Sequence, residues 1–293
     1  MSRIARQLSQ ELRFRWPLRR RFIPQMNLHH QVGPFLIRTA QTTEDLQAIF
    51  RLRALSAAQP LLSAAQPVLR AAQPLAARTR LDEEDWQSDH ILIFHTSQRK
   101  LVGTVRVRSS FFGHAPILSR EFHLHSFLTL PGEKIEVARL RFHPEYQRPM
   151  IANLMWRALA DVMSLTKAQY IYGSVSLMLP NPRKAALLYH YFNERGWFRQ
   201  RMFCPPQKAF SMSNLDLWIF SIKSPLTEAE SNEAKSLLSP LLESYLRAGA
   251  FLGGEPAWDS TAQCVDFLTI LHRDDLNRAL WKKFDLNFEP PIA

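Results

Sequence analysis

The chain has 293 residues, 46% of them hydrophobic, and a formal net charge of +11. That length and composition can bury a sizeable core, while apolar runs such as Ile91-Leu92-Ile93-Phe94 fall far short of the ~20 residues a membrane-spanning helix needs. No secretory signal is recognisable. The two cysteines, Cys204 and Cys264, offer neither metal-ligand spacing nor a disulfide framework, so no metal is expected and a reduced, cytoplasmic setting fits.

In chain order, residues 1–34 read as a basic N-terminal arm closing on the loop signal Gly33-Pro34. The first 40 residues hold eight arginines, no lysine and a single acid, Glu11. Leu12, Phe14, Trp16, Leu18 and Phe22 are interleaved among them, and Pro17 breaks any single helix. Such a segment suits an anionic partner, either an acidic carrier protein or lipid headgroups contacted peripherally on the cytoplasmic face of the inner membrane. Nucleic acid is not expected, because the basic charge does not extend along the fold and no nucleic-acid motif is present.

Phe35–Ala40 reads as a strand. Thr43-Glu44-Asp45 then starts a helix carrying Leu46, Ile49, Phe50 and Leu52 at helical spacing. Residues 56–77 repeat SAAQPLL, SAAQPVLR and AAQPLAA with Pro60, Pro67 and Pro74 seven apart; prolines at that spacing forbid an ordinary helix, so the stretch reads as an insertion. Ile91–Phe94 and Leu101–Val107 form a hairpin across His95–Lys100. Further strands are expected at Ile135–Phe142, Ala168–Val175, Leu215–Ile222 and Cys264–Leu271. Helices are expected at Ile151–Leu165, at Pro182–Arg195 with Gly196 as its stop, and at Ala234–Ala248. Strands and helices interspersed in this way define an α/β, or α+β layered, domain. The expected core spans residues 35–223, with residues 224–293 as a C-terminal extension packed on it.

The chemically informative residues are Asp82 and Asp85, Arg106, and Glu136 with Arg139. Three residues of separation put Glu136 and Arg139 on opposite faces of an ideal strand, so the pair can share a site only across a bulge.

From Phe35 to Phe284 these residues belong to an ordered string of segments. It comprises Leu52-Arg53, the run Asp82 to His90, Val102-Gly103-Thr104-Val105-Arg106, Glu121-Phe122-His123-Leu124, and Glu136-Val137-Ala138-Arg139 with His143-Pro144-Glu145-Tyr146. Met155-Trp156-Arg157, Tyr172 to Ser176, Pro240 to Ala250, Trp258-Asp259 and Val265 to Leu268 follow. The string resembles the ornithine lipid N-acyltransferases, also called hemolysin-like acyltransferases. These are GNAT-fold relatives of the acyl-homoserine lactone synthases. The resemblance implies a central mixed, twisted sheet flanked by helices and a bulge on the Glu136 strand. It also implies N-acyl transfer of a long-chain fatty acyl group, 3-hydroxylated or not, to the amine of an amino acid, ornithine first, in lipid biosynthesis.

By that resemblance Glu136 is the base or amine anchor, with Arg139 and His143 beside it. Arg53, Asp82, Asp85, Arg106 and Ser174 line the acceptor side. Two jobs are open to Arg106 and Arg139: gripping an acceptor carboxylate with a bidentate fork, or neutralising Asp82 and Asp85. Where other acetyltransferases carry a glycine-rich phosphate loop, this chain has Gln147-Arg148-Pro149-Met150-Ile151-Ala152. Without glycine, close approach to a pyrophosphate is hindered. The expected donor is therefore an acyl carrier protein with its phosphopantetheine thioester, met by Arg148, Ala152 and Arg157, and no permanently bound cofactor is expected. Other acceptors, a lactone-forming synthase, and a non-catalytic membrane-associated lipid-binding protein are the competing readings.

Overall fold

A computed structural model describes residues 22–58, 81–146, 148–179 and 181–277. Residues 1–21 of the basic arm and 59–77 of the proline repeat lie outside them.

Nine strands form one sheet: β1 (His29–Val32), β2 (Phe35–Thr39), β3 (Asp89–His95), β4 (Lys100–Ser109), β5 (Glu133–Phe142), β6 (Ala168–Leu177), β7 (Phe251–Leu252), β8 (Ala257–Asp259) and β9 (Cys264–His272). Their order is β1-β2-β3-β4-β5-β6-β9-β7, with β8 also on β9. Every pairing is antiparallel except β5 with β6. The parallel step needs a long connection, which α4 (Arg148–Thr166) supplies. The other helices are α1 (Thr43–Ala58), α2 (Glu83–Trp86), α3 (His125–Leu128), α5 (Pro182–Glu194), α6 (Leu215–Ser221), α7 (Glu228–Ser236) and α8 (Pro240–Ala248). The layered α/β architecture with a C-terminal extension is the one expected.

Side-chain alternation splits the centre of the sheet by chemistry. Val105, Val107, Ile135 and Ile171 pack with Ile151, Met155, Ala158 and Val162 of α4 in one apolar cluster. The residues between them, Arg106 and Arg108 on β4, Glu136 on β5 and Tyr172 on β6, face the other way. Register confirms the row: His90 pairs with Arg106, Arg108 with Glu136, and Glu136 with Tyr172. A second core lies under α5, where Leu187, Leu188 and Phe192 meet Phe267 and Val265.

Three elements differ from the sequence reading. Leu215–Ser221 is a helix, not a strand. Leu215 and Ile219 are four apart and both pack on the second core, and the place beside β6 is taken by β9. The single helix expected over Ala234–Ala248 is two, α7 and α8. Pro240 lacks the N–H that a continuous helix would need, and it instead opens α8 behind the Ser239 cap. Within the arm, residues 29–32 form β1, which pairs with the expected strand β2 across a turn at Gly33, where φ is 54°. Phe22 and Met26 are buried in the cores on the sheet, so arginine content masked a segment that packs with the fold.

Candidate functional site

Arg53 of α1 sits wholly inside the protein and forks onto Asp85, with its two terminal nitrogens 2.7 and 2.9 Å from the carboxylate oxygens. Asp82 caps α2 by accepting from the Asp85 N–H at 2.8 Å, and Asp85 returns the bond to the Asp82 N–H at 3.0 Å. This reciprocal capping box presents both carboxylates to the sheet. Arg106 donates to Asp82 at 2.9 Å and to Asp85 at 3.3 Å. Arg139 donates to Asp82 at 2.7 Å. Burial would raise the Asp85 pKa, but the Arg53 fork, with His90 and Arg106 behind it, brings it well below the carboxylate range. His90 is held neutral by burial, its pKa lowered to about 4, and its Nε2 lies 2.9 Å from the Asp85 carbonyl. Of the two jobs open to Arg106 and Arg139, the one the side chains perform here is to neutralise the aspartates.

The bulge on β5 is present. Arg139 has φ 58°, a left-handed conformation rare for a non-glycine residue, and the β4–β5 register shifts between Thr104 and Arg106. The extra residue lets Glu136 and Arg139 both serve the polar face. Pairing of β5 with β6 ends at Glu136–Tyr172, whereas β6 runs on to Leu177 against β9. Beyond Glu136 the two strands part, and the register gives the rest of β5 no partner on that side. Gly173 stands at the fork; a Cβ there would lie 2.6 Å from the Val137 carbonyl oxygen.

Glu136 is buried, 3% exposed, but among polar partners. Its carboxylate accepts from the Ile117 N–H at 2.7 Å and the Tyr172 hydroxyl at 3.1 Å. Burial raises its pKa against these bonds and the charge of Arg106. The hydroxyl of Tyr172 is driven well above its ordinary value by burial and by Glu136. Glu121 lies close enough to feel Glu136, Asp266 and Asp259. Burial, reinforced by their charge, pushes its pKa up to about 7. Asp266, raised to about 6 mainly by burial, hydrogen-bonds Ser176.

The remaining predicted residues are dispersed. His143 is buried at the end of β5, its N–H bonded to the Val102 carbonyl at 2.8 Å, and burial lowers its pKa. Ser174 lies on β6 opposite Leu268, two residues beyond Tyr172. Arg148 begins α4, with Ala152 and Arg157 further along the same helix. Asp259, Cys264 and Asp266 bring one potential ligand atom each within 4.8 Å of one another. Asp259 is occupied by the N–H groups of Thr261 and Ala262, both at 2.8 Å, and Asp266 by Ser176, so they read as a hydrogen-bonding group rather than a metal centre.

A cleft of about 380 Å³ opens beside the polar face where β3 begins and β4 ends, with Asp89, Arg108 and His114 among its walls. Sequence reasoning missed Arg108. The signal was its spacing of two from Arg106 on one strand, which places both on the same face.

Residues 68–157 match the family described as acetyltransferase (GNAT) domain. Fold and match together define the class: an acyltransferase enzyme of the GNAT fold. Within that class the chain is similar to L-ornithine N(alpha)-acyltransferase of Rhizobium meliloti (strain 1021), with 24% identity over 214 residues covering 67% of this chain and 68% of the relative. Among solved structures it is similar to FeeM, an N-acyl amino acid synthase from uncultured soil microbes, with 10% identity, TM-score 0.46, and 87% and 99% of the two chains covered. It is likewise similar to the AHL synthase LasI, with 10% identity, TM-score 0.45, and 85% and 95% covered. Among the described residues no helix is long and apolar enough to cross a membrane.

Proposed function

We propose that the protein transfers a long-chain fatty acyl group from acyl carrier protein to the amine of an amino acid, with ornithine as first choice. The observation that carries this is the parting of β5 from β6 directly after a buried carboxylate of raised pKa. An extended pantetheine arm can lie along the unpaired edge of β5 as an added strand. The thioester carbonyl then sits by the bulge at Arg139, and strand N–H groups on that edge of β5 would serve as its oxyanion donors.

An amino-acid ammonium must lose a proton before it can attack. Glu136 takes it, directly or through a water, and its raised pKa makes it a stronger proton acceptor than an ordinary carboxylate. The amine nitrogen bonds to the carbonyl carbon, the C–S bond breaks, and the pantetheine sulfur leaves as the thiol after receiving a proton. The Arg53–Asp85–Arg106–Asp82–Arg139 network fixes α1 and α2 against the strands that carry this chemistry. Similarity to an ornithine acyltransferase over two thirds of the chain supports the acceptor. The absence of glycine from residues 147–152, where α4 begins, supports a carrier protein over coenzyme A. Residues 1–21, which hold seven arginines, are the part of the chain suited to peripheral contact with anionic lipid.

The test is to incubate purified full-length protein with long-chain acyl carrier protein and a panel of amino acids, with acyl coenzyme A in parallel, and to read products by mass spectrometry. N-acyl ornithine from the carrier-protein arm is expected. No acylated amine from either donor refutes the proposal, and a different acylated amino acid reassigns the acceptor.

A further inference from the structure

We infer that the cleft at the start of β3 is the acceptor subsite, and that Arg108 is the residue that binds the acceptor's carboxylate. The inference rests on the amino-acid reading above and deepens it.

Arg108 is the one arginine of the polar row that the network leaves out. It is only 9% exposed, yet it forms no ion pair among the described residues. Among the described residues its one hydrogen bond is long, 3.5 Å to the Ser88 hydroxyl, and its Nε has no partner. A guanidinium so placed has lost most of its hydration without protein replacement, a costly state unless a ligand completes it. Burial lowers its pKa, opposed by the charge of Glu136. The acids near Arg108 are engaged elsewhere. Glu84 pairs with Arg120, and Glu136 accepts from Ile117 and Tyr172, so neither takes the Arg108 guanidinium directly.

The cleft is built rather than incidental. Gln25, Gln87, Ser88, Asp89, Arg108 and His114 contribute to its wall, and its volume is in the range of small-molecule sites. Two more of these side chains keep a buried atom without a partner: Asp89 Oδ2 and His114 Nδ1. Asp89 holds Gln25 and Met26 through its other oxygen, at 2.9 and 3.2 Å. One guanidinium fork beside a carboxylate suits a ligand bearing both a carboxylate and a cationic group. It suits a phosphate poorly, because a dianion would meet the Asp89 charge with a single arginine to offset it. Register sets Arg108 directly opposite Glu136. A carboxylate on Arg108 therefore directs the α-amine of the same amino acid toward Glu136.

The experiment compares L-ornithine with 1,4-diaminobutane, the same diamine without its carboxylate, on full-length wild-type protein, R108Q and R108K. Calorimetric titration reads binding without requiring turnover, and acyl-transfer kinetics read KM and kcat. Charge-assisted hydrogen bonds of this kind correspond to a preference of roughly 10–100-fold. Wild type is expected to favour L-ornithine by that factor. R108Q should abolish the preference through KM for the amino acid with the donor KM unchanged, and R108K should retain part of it. Thermal unfolding of each variant separates lost binding from lost folding, and R108K carries the test if R108Q does not fold. Equal discrimination by wild type and variants overturns the inference while leaving acyl transfer intact. An Arg108 effect confined to the donor KM reassigns the residue to the donor phosphate and also overturns it. If no amine is acylated, the proposed function fails, and the titration still decides whether Arg108 holds a carboxylate.

Discussion

Replacing Asp85 by Asn tests whether the arginine–aspartate network holds the site together. Arg53 is 1% exposed and Asp85 fully buried, and both Arg53 terminal nitrogens bond to the carboxylate. Asn keeps the shape but removes the charge, and it turns one accepting oxygen into an N–H₂ facing a guanidinium donor. Arg53 is then buried without a counter-ion, and Arg106 keeps only Asp82, which Arg139 also uses. Breaking a buried pair from one side costs about 3–5 kcal/mol, a large fraction of the roughly 5–15 kcal/mol that separates folded from unfolded chains. For a chain of this size that corresponds to a fall in Tm of about 10 °C. Equilibrium urea unfolding at pH 7 and calorimetric melting measure it. The folded-state pKa of Asp85 is depressed, so its stabilising contribution is complete above the unfolded carboxylate value. It fades only as pH falls toward the folded value, and D85N loses that acid limb. The double change Arg53→Met with Asp85→Leu is expected to recover much of the loss, because an apolar pair carries no unpaired charge. A D85N protein within about 1 kcal/mol of wild type would refute the argument, since uncompensated burial of Arg53 leaves no room for so small an effect.

Glu121→Gln should act in the opposite pH direction. A folded pKa raised to about 7 from 4.5 means stability that is present below the unfolded value and lost as pH rises through the folded one. E121Q should match wild type near pH 4.5 and exceed it at pH 8 by about 1–3 kcal/mol, read by urea unfolding at both pH values. Gly173→Ala drives a methyl group against the Val137 carbonyl oxygen at the fork of β5 and β6. A cost of about 1–3 kcal/mol and a raised KM for the acyl donor, with the acceptor KM little changed, are expected from steady-state kinetics. Glu136→Gln removes the proton acceptor but not the shape. Activity should fall by roughly 100-fold or more, and the rise of wild-type activity with pH through the raised Glu136 value should flatten. A variant with the wild-type pH profile excludes Glu136 as the base.

Local patterns carried the fold. Alternation over Leu101–Val107 and helical spacing in 151–165 marked elements that the structure extends by one to three residues at an end. The bulge was legible as a contradiction: Glu136 and Arg139, three apart, were needed on one face. The helix at 215–221 misled because its exposed face is apolar, with Leu217, Trp218 and Phe220 all reaching solvent, so no polar stripe marked the turn of the helix. The site was legible in residue type but not in partnership. Nothing in the linear order says that Arg53 takes Asp85 while Arg139 takes Asp82, or that Arg108 takes neither. Those pairings depend on α1 and the α2 cap arriving over strands far away in sequence. Glu121 was visible only as part of a motif, because its neighbours Asp259 and Asp266 come from the far end of the chain.

The lone parallel join in the sheet also bears on how the enzyme assembles. From β1 to β5 each strand pairs with its neighbour in sequence, although residues 40–88 separate β2 from β3 and residues 110–132 separate β4 from β5. β6 reaches its place only after the chain has returned through α4, and β9 must travel from beyond residue 263 to cover its free edge. Closing such distances delays contact formation. The widest gap in the sheet, residues 178–263, is the one closed by β9 on β6, so the strand that forms one arm of the fork beside Glu136 is held in place by the far end of the chain.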